Sequence, residues 1–274
     1  MAWLDDEVRR IQSREKSKKR RKLIGALAVV FVIIVALAIA GLLVTYAEER
    51  KITVIRIEGT MVTGNFYGDG FVGSEFVGME LRRAADDPLV EAIVLRVNSP
   101  GGSPAAAQEI IRDLEYARAR KPVVVSMGDM AASAAYYVSS HADRIYASPD
   151  TITGSIGTAW TFYDLSDYLE EEGIGVDVVK SGSKKDMTSG YRPLTEEERA
   201  YAQELVDRSY EAFMADIVAQ REISPDILED ARLFRGEEAR AVGLIDDLGN
   251  LYDAIEGAQV LAGTARSSLP AVLS

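Results

Sequence analysis

The feature that most constrains this chain is Leu23–Tyr46, 24 consecutive residues without a charge. About 20 apolar residues cross a bilayer core of roughly 30 Å, so the run is long enough to span with some tilt. Thr45-Tyr46-Ala47 loosely fits a small-residue cleavage site, but the apolar region of a secretory leader is only about 7–15 residues long. A buried core helix suits so uniform a run less well. The sequence therefore predicts a transmembrane helix over 23–46. Residues 1–22 carry nine Lys/Arg against four Asp/Glu, whereas residues 23–274 carry 22 against 39. Lys and Arg mark the cytoplasmic flank of a span, and the basic cluster Lys16–Lys22 lies on the N-terminal side. The expected topology is single-pass in the cell membrane. A cytoplasmic arm (1–22) precedes the span, followed by an extracytoplasmic domain (47–265) and a loose tail (266–274).

Composition narrows the chemistry. With no cysteine and one histidine, the chain has no Cys/His zinc site, iron–sulfur cluster, disulfide framework or cysteine nucleophile. A serine hydrolase based on histidine could use only His141, eight residues past Ser133 and expected near the end of a helix. The net charge of −12 argues against a nucleic-acid partner. No G-x-x-x-x-G-K-[ST] occurs, so nothing implies ATP.

The body reads as strands alternating with helices. Strands are expected at Ile52–Glu58, Val90–Val97, Pro122–Met127, Arg144–Ala147 and Val176–Val179. The run Val90–Val97 is nearly continuous and apolar, as in a strand covered on both faces. Helical spacing is expected over Glu75–Ala85, Ala105–Arg120, Ala131–Ser140 and Thr161–Glu172. Thr60–Val72 reads as a glycine-rich loop. Thr195-Glu196-Glu197-Glu198 reads as a capping box that opens a mostly helical region, with a last helix near Leu251–Leu261. Strand, turn and helix recur after residues 52, 90 and 122, which favours an α/β fold with mainly parallel strands.

Three segments could carry chemistry. Asn98–Ser103 (NSPGGS) follows a buried strand, and its glycines could present backbone N–H groups to an oxyanion; they could equally make a tight turn. Ser126–Tyr137 (SMGDMAASAAYY) sets Ser133 among alanines where a helix is expected to start. Small neighbours leave room for a substrate carbonyl, or they merely allow close packing. Lys180–Asp186 (KSGSKKD) holds three of the body's five lysines. A lysine can act as a general base where arginine cannot, although a lysine cluster is also what a solvated loop contains.

Together these segments resemble a known family. Asn98-Ser99-Pro100-Gly101-Gly102, Ala131-Ala132-Ser133-x-x-Tyr136-Tyr137, Thr153-Gly154-Ser155-Ile156-Gly157 and Lys180-Ser181-Gly182-x-x-Lys185-Asp186 are similar in order and spacing to the signal peptide peptidase A family. Tyr210-Glu211-x-Phe213 and Gly243-Leu244-Ile245-Asp246-x-Leu248-Gly249 extend the likeness to roughly residues 50–260. The length resembles the short, single-repeat members. The family consists of membrane-anchored serine peptidases of the Clp-protease/crotonase-like fold, a spiral of strand–strand–helix units.

The resemblance implies that Ser133 is the nucleophile and Lys185 the general base. Main-chain N–H groups of the Gly101/Gly102 turn and of Ala134 would form the oxyanion hole, and Ser155 would orient the Lys185 amine. One departure is that the family usually has glycines where this chain has Ala134 and Ala135; an alanine keeps its N–H but narrows the pocket. Ser–Lys pairs follow the same logic as the serine triad. A free lysine has a pKa of about 10.4 and a working base wants roughly 7–8, so desolvation or the like charges of Lys180 and Lys184 would have to lower it.

The implied function is degradation of cleaved signal peptides and other hydrophobic peptides. No cofactor is implied. The implied partners are peptide substrates, the lipid bilayer and further copies in a homo-oligomeric ring. In such a ring the serine and lysine could come from adjacent copies. Two alternatives stay open: a related Ser–Lys protease acting on one membrane-protein substrate, and a non-catalytic membrane scaffold with a crotonase-like body.

Overall fold

A computed structural model describes residues 2–48, 51–263 and 272–273. The chain divides into two compact units, Met1–Arg50 and Lys51–Ser274. The first is a single helix, α1 (Ala2–Glu48). Lys18–Leu42 within it is long and apolar enough to cross a membrane, and none of that stretch is buried.

The second unit begins with β1 (Lys51–Glu58), followed by the short strands β2 (Thr60–Val62), β3 (Tyr67–Gly68) and β4 (Phe71–Gly73). Then come α2 (Ser74–Asp86), β5 (Val90–Ser99), α3 (Pro104–Arg118), β6 (Val123–Ala132), α4 (Ala134–Ser140), β7 (Arg144–Ala147) and β8 (Ile152–Gly154). The remainder is α5 (Ser166–Glu171), α6 (Glu196–Arg221), β9 (Leu233–Arg235), α7 (Gly236–Ala241), β10 (Asp247–Leu248), α8 (Leu251–Leu261) and β11 (Val272–Leu273). The main sheet runs β10-β7-β6-β5-β1-β11 with every pairing parallel, and β8 extends it from the far end of β6. Only β9 joins this sheet antiparallel, on β8. The result is a mostly parallel α/β fold consistent with the Clp-protease-like architecture.

The parallel core follows from β5. Ile93, Leu95 and Val97 on one face pack with Val77 and Leu81 of α2 and Ile110 and Leu114 of α3. Ala92 and Val94 on the other pack with Ala254, Ile255 and Ala258 of α8. Coverage on both faces is what a continuous apolar run requires, and each large side chain so buried contributes about 1.5–3 kcal/mol. Ser103 caps α3 by accepting from the Ala106 N–H, with Pro104 in the first turn, where its missing N–H costs nothing.

The structure departs from the expectations at several places. Thr60–Val72 is no plain loop, because β2, β3 and β4 pair there as a second small sheet. Ala131 and Ala132 belong to β6, since Met130–Ala132 pair with Ile152–Gly154, and the helix starts only at Ala134. The helix expected over Thr161–Glu172 shrinks to Ser166–Glu171. Val176–Val179 is not a strand: Val176, Val178 and Val179 are exposed, Val179 at 99%, and no strand among the described residues pairs with them. A strand needs a partner for its backbone groups. Of the expected tail, Val272–Leu273 pair in parallel with Ile52–Thr53, and the other residues of 266–274 lie outside the described residues.

Candidate active site

The site begins where β6 turns into α4. Ser133 stands between them with φ 55° and ψ −126°, a conformation that non-glycine residues rarely adopt and that concentrates at functional sites. Its N–H donates to the Gly154 carbonyl at 2.8 Å, which pins the turn to the end of β8. Ser155, the residue after β8, is also left-handed, at φ 51°, and its N–H donates to Arg232 O at 2.9 Å. Two strained serines are thus held side by side by backbone bonds. Neither hydroxyl makes a hydrogen bond among the described residues.

The Gly101/Gly102 turn closes over this elbow. Gly101 has φ 105°, and a Cβ there would sit 2.9 Å from Ala132 O, Ala134 N and Ser133 Cβ alike. The backbone of Met61 clasps the turn, donating to Gly101 O and accepting from Ser103 N–H, both at 2.8 Å. The Gly101 N–H donates to Ser99 Oγ at 3.1 Å. The N–H groups of Gly102 and Ala134 have no acceptor among the described residues; Ala134 opens α4, where no intrahelical acceptor exists.

Gly102, Ser133, Ala134 and Ser155 line one cavity of about 420 Å³. Four of the expected site residues therefore converge, with Gly101 packed directly behind them. Most of the other walls are small or apolar: Ala159, Ala212, Ala231, Tyr137 and Phe213. The Tyr137 and Phe213 rings lie 4.7 Å apart. Burial, and then its hydrogen bond to Asp216, push the Tyr137 phenol well above its ordinary range, so it stays neutral. The wall residues Tyr137 and Phe213 were visible as motif letters, but spacing alone gave no sign that they face the serine.

Lys185 is not among the cavity-lining residues. It sits in the irregular segment before α6, exposed, with its N–H on Gly182 O at 3.2 Å and no side-chain partner among the described residues. Its neighbours are engaged. Lys180 pairs with Asp186 at 2.6 Å and Lys184 pairs with Glu197. The like-charge repulsion expected from Lys180 and Lys184 is therefore largely neutralised; the Glu197 carboxylate raises Lys184 above the ordinary lysine range. Asp186 is the hub of this segment. Arg192 first, then Lys180 and Tyr191, hold its carboxyl far below the usual range.

The model of peptidase family S49 matches residues 115–265. The chain is 36% identical over 220 residues to Protease 4 of Haemophilus influenzae, covering 79% of this chain and 35% of that one. It is 39% identical over 215 residues to Protease 4 of Salmonella typhi, covering 77% and 34%. Against the chloroplastic serine protease SPPA of Arabidopsis thaliana it is 28% identical over 207 residues, covering 74% and 30%. The chain thus spans about a third of the length of each of these relatives.

Proposed function

The chain belongs to peptidase family S49, and from that premise we propose that it is a membrane-anchored serine endopeptidase that cleaves hydrophobic peptides, including signal-peptide remnants, with a Ser133–Lys185 dyad. The observation that carries this reading is the Ser133 hydroxyl. Among the described residues it has no hydrogen-bond partner; it is set at a strained turn and shares one cavity with the N–H groups of Gly102 and Ala134, which likewise have no acceptor among the described residues. A peptide carbonyl seated there would meet a nucleophile and two donors for the oxyanion that forms on attack.

The chemistry is acyl transfer. Ser133 Oγ attacks the scissile carbonyl while Lys185 Nζ removes the hydroxyl proton. The oxyanion is held by the Gly102 and Ala134 N–H groups, with the Gly101 turn as their support. Lys185 returns the proton to the leaving amine, and water then frees the acyl group from Ser133. Ser155, on the same wall as Ser133, is suited to hold the lysine amine in line. Because Lys185 is exposed and does not line the cavity of its own chain, we assign the lysine at each serine to a neighbouring copy in an oligomeric ring. Entry into that interface supplies the desolvation a lysine base needs.

The anchor in this reading is α1, with residues 1–22 cytoplasmic, 23–46 in the bilayer and 47–265 as the extracytoplasmic peptidase domain. The small and apolar cavity walls support apolar peptide side chains as the residues held beside the cleaved bond.

The test uses the full chain in detergent. A fluorophosphonate probe is expected to label the wild type and to miss Ser133→Ala. Both Ser133→Ala and Lys185→Ala should abolish cleavage of an apolar reporter peptide while leaving the melting curve in place. Unchanged labelling of Ser133→Ala, or near-normal turnover by Lys185→Ala, overturns the dyad.

A further inference from the structure

The only histidine is nearly sealed in the body and is not part of the dyad. His141 is 1% exposed and ends α4, the helix that Ser133 begins. Its two ring nitrogens face carboxylates on two different helices. Nδ1 lies 3.4 Å from Glu115 Oε1 on α3, and Nε2 lies 3.2 Å from Asp216 Oδ2 on α6. Neither nitrogen makes a well-aligned hydrogen bond to any described atom.

Imidazole chemistry makes this arrangement informative. A neutral ring has one N–H donor and one lone-pair nitrogen, whereas the imidazolium has two donors. A carboxylate on each side suits two donors, and it leaves a lone pair facing an anion whenever the ring is neutral. The His141 carbonyl is held by Arg118 of α3, whose Nη1 donates to it at 3.0 Å, and Arg118 pairs in turn with Asp143 at 2.6 Å. Those two satisfy one another and the backbone, so Glu115 and Asp216 are the groups that respond to the ring.

Asp216 carries the connection onward. Its Oδ2 also accepts from the Tyr137 hydroxyl at 2.6 Å. The Tyr137 ring meets the imidazole edge-on at 5.5 Å and packs on Phe213. Tyr137 and Phe213 are both walls of the Ser133 cavity. One oxygen of Asp216 is therefore shared between the histidine and the residue that shapes the cavity.

We propose that His141 is a positioning residue that, through Asp216, holds the Tyr137–Phe213 wall of the peptide cavity and makes its shape depend on proton binding. When the ring carries its proton, α3, α4 and α6 are tied through one buried cation. When it loses the proton, one tie is lost and Asp216 is free to shift with Tyr137. The consequence for cleavage rests on the peptidase reading; the His141–Asp216–Tyr137 linkage itself does not.

Two measurements on the full chain in detergent test it. First, because there is one histidine, selectively labelled imidazole gives a single NMR signal set. Asp216→Asn and Tyr137→Phe should each displace that signal, and Asp216→Asn should move the pH at which it titrates. A wild-type-like titration in Asp216→Asn overturns the linkage whether or not any peptide is cut. Second, KM for an apolar reporter peptide should rise several-fold as pH passes through that titration, with kcat following its own profile. In His141→Gln, KM should lose this pH dependence while fluorophosphonate labelling of Ser133 persists. Superimposable KM–pH profiles for wild type and His141→Gln overturn the proposal. If His141→Gln fails to fold, Asp216→Asn, which removes the carboxylate that links the ring to Tyr137, replaces it with the same expected flattening and the same overturning result.

Discussion

The guanidinium of Arg192 grips the carboxylate of Asp186 from both sides, with Nη2 2.7 Å from Oδ1 and Nε 3.2 Å from Oδ2. Asp186 follows Lys185, so this fork fixes the backbone that carries the lysine. Arg192 also reaches Glu198 in the capping box of α6, through Nη1 at 2.8 Å and Nη2 at 2.7 Å. The lysine segment is thereby tied to the N-terminus of α6.

Arg192→Ala should lower kcat on the order of 10–100-fold, the cost of displacing a reacting group by about an ångström. Arg192→Lys should recover only part of this, because a point charge does not reproduce the two-pronged fork. Steady-state kinetics on the two variants, with Tm recorded alongside, checks it. Equal kcat in wild type and Arg192→Ala would mean the lysine is positioned by something other than this fork.

The same cluster predicts an acid limb. Arg192, then the Thr195 N–H, lower the Glu198 carboxyl from 4.5 to about 2, and Asp186 moves in the same direction. A carboxyl whose folded pKa is depressed contributes stability above its unfolded pKa and loses it as pH falls toward the folded value. Hydrogen exchange of the segment 180–198 should therefore accelerate as pH drops below about 4.5, once intrinsic exchange rates are corrected for. Glu198→Gln should show part of that acceleration already at neutral pH.

Gly101→Ala should disable the site more than the fold. Its φ of 105° is one that side chains rarely adopt, and the added Cβ would press on Ser133 Cβ and Ala134 N at 2.9 Å. The strain costs about 1–3 kcal/mol, a tolerable loss of Tm, yet the displaced atoms are the proposed nucleophile and oxyanion donor. Turnover should fall by at least about 100-fold while the melting transition remains cooperative.

Tyr136→Phe probes the neighbouring letter of the same motif. Tyr136 is fully buried and donates to Leu244 O at 2.8 Å. Removing the hydroxyl leaves that carbonyl without its donor, at a cost of about 1–3 kcal/mol. Chemical denaturation should show this loss with little change in KM, in contrast to Tyr137→Phe, which touches the cavity wall.

Mixing is the direct test of a shared dyad. Ser133→Ala and Lys185→Ala proteins, each inactive, should regain part of the wild-type activity when co-assembled, because some interfaces then pair an intact serine with an intact lysine. Val179→Asp should reduce both assembly and activity, since Val179 is 99% exposed in the single chain and an apolar side chain so placed suits a surface that another copy covers. No recovery on mixing, with assembly verified, would return the lysine to its own chain.

Periodicity and composition were sufficient for the elements that satisfy themselves locally. The charge-free run Leu23–Tyr46 lies within α1 and the capping box at Thr195 opens α6, because each depends on hydrogen bonds within a few turns; the strand at β5 was legible from its continuous apolar pattern, although its hydrogen bonds run to β1 and β6. The family resemblance also implied that Ser133, Ala134, Ser155 and the glycine turn belong to one site. Their meeting, however, depends on long-range pairing, as Ala132 lies opposite Gly154 in the sheet and Met61 clasps Gly101 and Gly102. That pairing also ended the expected helix at Ala134 and set Ser133 at a positive φ, neither of which local propensity encodes. The exposure of Val176–Val179, the absence of Lys185 from the cavity lining and the enclosure of His141 between Glu115 and Asp216 were decided by tertiary structure alone. Each depends on which surfaces remain uncovered, or which helices cross, after the parallel sheet has formed.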